Sequence, residues 1–394
     1  MCVHVFGNRP SPAVATYGLR HCVEDSTCDE SVKQFVTRNF YVDDGLASFP
    51  TVSEAVDTLR RTQRALLHGG NLRLHKIASN SEKVMLQFST LDLAKSIENL
   101  DLDRENLPIH HSLGLRWDLA RDTFTYKAAE DRKPFTKRGL LSTVNGLFDP
   151  QGFIAPIVLN GKLIMREAFS GDESWDDPLQ SRTMNAWTSW LEQLSSLDAV
   201  HIPRCLLPVS FSECVRKTLH IFCDASEKAV AACAYLRSVT VDEEVHIGFV
   251  FGKCKVAPKS GHTIPRLEFC SSVLAVELGE MLSRELGLPL EVIEYYTDNK
   301  VVLGYLSNEH QRFYVYVCNR VSRIRKSSSP SQWNYVATHD NPADQGTRCL
   351  LHEQLCRSLW LQGPNFLREN NEKECKKIIY NQSKKKKTTP RASI

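Results

Sequence analysis

The 394-residue sequence has no CxxC pair among its thirteen cysteines, no Asp-Thr-Gly or Asp-Ser-Gly tripeptide, no Gly-x-Ser-x-Gly elbow and no glycine-rich phosphate loop. Each absence removes a class of function. An odd number of isolated thiols without metal spacing reads as reduced and mostly buried, in preference to a zinc or disulfide framework. Without the acidic tripeptide no aspartic peptidase is supported, because its two carboxylates must share a proton on such a turn. Without the elbow a Ser/His/Asp hydrolase is unsupported. The apolar runs fall well short of the roughly 20 residues a spanning helix needs, so no membrane partner is expected. The opening residues, MCVHVFGNRPSP, show neither a basic n-region nor an apolar h-region. No signal peptide is read there, and the expected location is intracellular, cytoplasmic or nuclear. Excess charge is also missing: 49 basic against 46 acidic side chains leave +3, which neither demands nor excludes a polyanionic partner.

What is present is a globular chain with 42% hydrophobic and 24% charged residues, long enough for about two or three domains. Residues 36–50 read as two short apolar runs separated by Asp43, Asp44 and Gly45, a hairpin. The next stretch, TVSEAVDTLRRTQRALLHGG, pairs Thr51 and Glu54 at capping-box spacing, with Val52, Ala55, Val56, Leu59 and Leu66 on one helical face and Gly69–Gly70 as the stop. LGLRWDLARDTF reads as a second hairpin. Residues 136–207 are patterned as helices broken by Pro and Gly. From about Thr218 to Val336 come three strands, a helix, a strand, a helix and a strand, a mixed α/β sheet. The polar tail beyond Gly363, ending in SKKKKTTPRASI, is expected to be disordered; its Lys384–Lys387 run is open to phosphate contact, nuclear import or plain solvation.

Four carboxylates stand at the boundaries of these apolar elements: Asp224 after the strand HIFC, Glu268 in a helix introduced by Pro265, Asp298 after EVIEYYT, and Asp344 in HDNPADQGTR. Taken singly, each is an ordinary cap or turn residue. Taken in order, they match what cleavage of a phosphodiester by two divalent ions needs, since hard Mg²⁺ takes oxygen ligands and charge develops on both the attacking and leaving oxygens. His339, five positions before Asp344, is a candidate proton shuttle or a solvated loop histidine.

The DAS of Asp224, PRLE of Glu268, YTDN of Asp298 and HDNPAD of Asp344 resemble the ribonuclease H domain of retroelement polyproteins. YVDD at Tyr41–Asp44 resembles the metal-binding hairpin of a reverse transcriptase palm. VHVFGNRPSPAVA, LRLHKIASNS, LGLRWD, KRGLLSTVNGLFDPQGFIAP and LWLQGPNFL together resemble the polyprotein of Pao-type (Bel/Pao) long-terminal-repeat retrotransposons, over nearly the whole chain to about Leu367. The resemblance implies an α/β (α+β) chain with a partial palm at 1–95, a thumb or primer-grip-like hairpin at 96–135, a helical connector at 136–207, a ribonuclease H-like domain at 215–350 and a C-terminal segment at 351–394. It implies two Mg²⁺ (or Mn²⁺) ions on Asp224, Glu268, Asp298 and Asp344. A residual polymerase site would comprise Tyr41, Asp43, Asp44 and Lys76. The family's first palm aspartate and fingers lie upstream of the VFGNRPSP segment, which only Met1–His4 precede, so primer extension is not expected.

Two readings remain open: cleavage of the RNA strand in an RNA·DNA hybrid, or a non-catalytic nucleic-acid-binding remnant. Arg266, Lys253, Lys255 and Lys259 are candidate backbone contacts. A complete reverse transcriptase subunit is a candidate protein partner. Trp117, Trp190 and Trp360 fit core packing better than base stacking, given their apolar neighbours.

Overall fold

The computed structural model describes residues 9–24, 28–94, 109–112, 115–127, 133–208, 211, 213–259, 261–308 and 313–369, which fall into two compact units. The first comprises residues 1–126 with 201–204, the second residues 127–200 with 205–394.

In the first unit, helices α1 (Ser11–Glu24), α2 (Glu30–Asn39) and α3 (Val52–Gly70) enclose a small core of Val23, Val32, Phe35, Val36, Ala65 and Leu66. Asp29 caps α2 by accepting from the Val32 amide, and Thr51 caps α3 by accepting from Glu54. Gly69 and Gly70 do not stop α3. They form its last turn, where a Cβ would collide with Cys22 of α1, and the stop is Asn71 in the left-handed region at φ 52°. The palm-like hairpin pairs β1 (Phe40–Tyr41) with β2 (Asp44–Gly45), so its turn is Val42–Asp43, one to two residues earlier than the acidic run suggested. Val42 takes φ 59° there. A short helix, α4 (Glu82–Met85), follows. The LGLRWD hairpin is half of a four-stranded antiparallel sheet, β3 (Ile109–Ser112), β4 (Leu115–Asp118), β5 (Thr123–Thr125) and β6 (His201–Pro203), in that order. Its last strand comes from the stretch read as helical, because alternating polar and apolar character over three residues is too short a signal beside the preceding helices.

The second unit opens with α5 (Lys137–Gly146), α6 (Ala155–Ala168) and α7 (Ser181–Leu194). These pack onto the following sheet rather than bridging to it. Trp360 Nε1 donates to the Gly152 carbonyl at 3.0 Å, and the Gly252 amide donates to Gln151 at 2.8 Å. The sheet contains β7 (Cys214–Ala225), β8 (Ala229–Thr240), β9 (Val245–Val256), β10 (Ile293–Thr297) and β11 (Trp333–Tyr335), in the order β11-β10-β7-β8-β9. The first three strands are antiparallel, and β10 and β11 run parallel to β7. Helix α8 (Ile264–Leu286) covers one face over Leu219, Ile221, Ala232, Ala234 and Leu236. The other face meets α11 (Pro342–Arg348) and, at β9, α13 (Leu359–Gln362), with the short α12 (His352–Leu355) between them. With both faces covered, every residue of β8 is buried.

Between β10 and β11 lie two helices, α9 (Lys300–Leu306) and α10 (Val315–Arg325), where the sequence reading had one. Residues 364–369 are not a loose tail: Phe366 packs on Phe222 and Tyr296, and Arg237 holds the carbonyls of Leu367 and Glu369. The Lys384–Lys387 run lies outside the described residues. Trp117, Trp190 and Trp360 are all buried, as their neighbours implied. No helix among the described residues is long and apolar enough to cross a membrane.

Candidate metal centre

Strands β7 and β10 are parallel neighbours whose pairing ends with Cys223 opposite Thr297. The next residue on each strand is therefore at the same height, and these residues are Asp224 and Asp298. Two carboxylates separated by 73 intervening residues reach one sheet edge by register alone. Glu268 arrives from the opposite side of that edge, one turn into α8, where Pro265 fixes the helix start. Ligand oxygens of Asp224, Glu268 and Asp298 lie within 4.8 Å of one another, the one such acidic group among the described residues.

The electrostatics follow from that crowding. Burial pushes Asp224 up to about 7, with the charges of Asp298 and Asp344 adding to it and the hydrogen bond from Thr347 opposing. Burial pushes Glu268 up to about 8, again with help from Asp224 and Asp298. Asp344 is raised by burial, against the pull of the Arg348 guanidinium at 2.8 Å. Glu268 Oε2 is buried with no hydrogen-bond partner. An orphaned carboxylate oxygen beside two further carboxylates is costly in an apolar setting and is what a hard divalent cation would satisfy. The donor set fits Mg²⁺ or Mn²⁺.

Three hydrogen bonds hold the arrangement in place. Thr347 Oγ1 donates to Asp224 Oδ2 at 2.8 Å, Thr338 Oγ1 donates to Asp298 Oδ2 at 2.7 Å, and Asn341 Nδ2 donates to the Cys223 carbonyl at 3.1 Å. Asn341 also caps α11, accepting from the Ala343 amide, and thereby sets the first turn that carries Asp344. None of these three residues was singled out from the sequence. The Asn-Pro pair at 341–342 is a helix-start signal that points to Asn341; a lone threonine gives no comparable sign.

The other sequence candidates are placed elsewhere. Asp344 is near enough to raise Asp224 but stands outside the 4.8 Å group and pairs with Arg348. His339 is 81% exposed and contacts Asp340 at 3.2 Å. Lys253 and Lys255 are exposed on the edge strand β9, Lys259 reaches Ser170, and Arg266 lies over the Tyr316 ring at 4.9 Å. Tyr41, Asp43, Asp44 and Lys76 are exposed residues of the first unit, and no third metal-ligating side chain joins the two aspartates among the described residues.

Residues 136–299 match the family model described as a Pao retrotransposon-like RNaseH-like domain. No curated protein matches the chain. Among solved structures, the N-terminal RNase H domain of a Mycobacterium tuberculosis protein, solved as a fusion with maltose binding protein, is 13% identical, with 36% of this chain and 96% of that chain covered at a TM-score of 0.24. RNase H1 from Halobacterium salinarum is 14% identical, with 37% and 93% covered at 0.21. The foamy viral protease–reverse transcriptase in complex with dsDNA is 15% identical, with 84% and 59% covered at 0.42, so this chain spans little more than half of that one. The matched segment, 136–299, contains Asp224, Glu268 and Asp298, and the match is consistent with a fragment of a retrotransposon polyprotein.

Proposed function

We propose that the chain is a divalent-metal-dependent endoribonuclease acting on the RNA strand of RNA·DNA hybrids. The observation that carries this reading is the convergence of Asp224, Glu268 and Asp298 within 4.8 Å, with an unpaired buried oxygen on Glu268. These three, with Asp344 alongside, would hold two Mg²⁺ or Mn²⁺ ions, which when bound supply an activated water and neutralise charge on the departing oxygen. Thr347 and Thr338 keep one oxygen of Asp224 and one of Asp298 occupied, and so fix the rotamer of each carboxylate. His339, exposed and in contact with Asp340, would be the group that exchanges a proton with the leaving group. Selection of a hybrid would rest on its shape and 2′-hydroxyls, with Lys253, Lys255, Lys259 and Arg266 as sugar-phosphate contacts. Primer extension is not part of the reading, because Asp43 and Asp44 stand without a third carboxylate among the described residues.

One observation favours the alternative of a binding remnant without turnover: Arg348 competes for the fourth carboxylate, Asp344. The deciding measurement is Mg²⁺-dependent cleavage of an end-labelled RNA·DNA hybrid by the full chain, beside Asp224→Asn and Asp298→Asn and with a primer-extension control. Cleavage lost in both variants supports the nuclease. A folded protein that binds the hybrid and leaves it intact at millimolar Mg²⁺ supports the remnant.

A further inference from the structure

A second surface of different chemistry lies on the helical segment and shares no residue with the carboxylates. Between α5, α6 and the end of β9 is a cleft of about 350 Å³. Lys162, Arg166 and Asn145 supply its polar atoms, and Met165, Phe169 and Val256 its apolar wall. Neither cation has a carboxylate partner among the described residues: Arg166 Nη1 is steadied by the carbonyls of Ala257 at 2.8 Å and Lys228 at 3.5 Å. Neutral carbonyls orient the guanidinium and leave its charge uncompensated. A third cation, Lys259, is drawn to this side by Ser170, the residue after Phe169.

The rim is aromatic. Phe169 is 40% exposed and meets Trp175 edge-on at 5.1 Å. Trp175 is 47% exposed, whereas the other five tryptophans are buried. The Arg138 guanidinium, itself paired with Asp176, lies over the Trp175 ring at 5.8 Å, while Trp175 and Phe169 both stay partly exposed. Partly exposed rings beside cations that have no carboxylate partner are the two elements from which single-stranded nucleic-acid sites are made, the charges tracking phosphate and the rings stacking bases. A duplex keeps its base faces inside and would leave both rings unused.

We infer that this cleft binds single-stranded nucleic acid, with a phosphodiester between Lys162 and Arg166 and a base against Phe169 or Trp175. A volume of about 350 Å³ falls at the small end of ligand-sized sites, enough for one nucleotide unit and not for a folded partner. The inference stands on the cleft's own residues, so it holds or fails independently of turnover at the carboxylates.

The test uses the full chain with a chelator present, so that no cleavage intervenes. A short oligouridylate is titrated while tryptophan emission and the anisotropy of the labelled strand are recorded, with a duplex RNA of equal length as the comparison. The expected result is saturable quenching of the exposed tryptophan by the single strand, with affinity falling about tenfold in Trp175→Ala. Lys162→Glu should weaken binding and flatten its salt dependence by roughly one phosphate contact. Trp175 is exposed and Lys162 half-buried at the cleft wall, and an unchanged melting temperature shows that each variant is folded. Equal affinity in the parent and both variants overturns the inference. Duplex binding as tight as single-strand binding, without quenching, also overturns it.

Discussion

The side-chain amide of Asn341 donates to the carbonyl oxygen of Cys223 at 3.1 Å, while its own oxygen caps α11. One buried residue thus ties the strand that ends in Asp224 to the helix that begins with Asp344. Replacing Asn341 with Ala leaves the Cys223 carbonyl and the Ala343 amide unpaired in a fully buried position, which should cost about 2–4 kcal/mol. Denaturant unfolding would measure that loss. Asn341→Asp, which keeps the cap but sets a buried carboxylate oxygen against the Cys223 carbonyl beside Asp224, should cost at least as much as Asn341→Ala at neutral pH.

Thr347 and Thr338 each donate to one oxygen of a different carboxylate, Asp224 and Asp298. Thr347→Val keeps the shape and removes the hydroxyl. It should reduce Mg²⁺ affinity or hybrid cleavage by about 10–100-fold, with Thr347→Ser restoring most of it. Metal titration followed by hybrid cleavage separates the two effects. Equal activity in the Val and Ser variants would show that Asp224 is held by packing alone.

The raised acids make stability depend on pH in a defined direction. Asp224 and Glu268 bind protons more tightly folded, at about 7 and about 8, than at their ordinary values of 3.8 and 4.5. Their contribution is therefore fully present below about pH 4 and is lost as pH rises through 8. Without divalent ions, melting temperature should fall between pH 5 and pH 8.5 by more in the parent than in a Glu268→Gln variant. Millimolar Mg²⁺ should recover stability at pH 8.5 and do little at pH 5, where protons compete with it. A Mg²⁺ effect equal at both pH values would mean that the ion does not bind these carboxylates.

Glu268→Gln removes a buried charge that has no partner oxygen contact on Oε2. The variant should be more stable than the parent without metal at pH 8 and should lose hybrid cleavage to background, a trade between stability and function at one side chain. Thermal melts and the labelled-hybrid assay on the same preparation check both halves.

The four carboxylates were visible in the sequence because each follows or opens a strongly apolar element, where the change from apolar to acidic is abrupt. Their convergence was not visible, because it depends on the parallel register that sets Cys223 against Thr297. Local patterning fixes where a strand ends and says nothing of which strand lies beside it. The same limit explains the first hairpin. The run Asp43-Asp44-Gly45 looks like a turn by composition, yet the pairing of Tyr41 with Asp44 puts Val42 at the bend in a conformation that valine rarely adopts. The segment 364–369 looked polar and loose because its anchors, Phe366 and Leu367, are two apolar residues whose partners, Tyr296, Phe222 and Arg237, lie 70 or more positions earlier.

The same long-range packing makes the helical segment part of the sheet's fold rather than a tether. Gly152, at φ 77°, lies so close to β9 that a Cβ there would run into the Gly252 carbonyl, and a Cβ on Gly252 would run into the Trp360 and Phe249 rings. Three layers meet at two glycines: the loop before α6, the edge strand, and the indole of Trp360, whose nitrogen donates back to Gly152. Gly152→Ala combines a positive φ with that collision and should destabilise the second unit by about 1–3 kcal/mol. A stronger test is truncation. A chain beginning at Lys127 retains every partner of β9, whereas one beginning at Cys205 exposes Phe249 and Trp360 and strands the Trp360 indole nitrogen. The longer chain should melt cooperatively and the shorter one should not, as near-ultraviolet circular dichroism would record. Equal folding of both would mean that residues 136–200 are a separable connector after all, and that the glycine contacts are incidental to the stability of the carboxylate-bearing sheet.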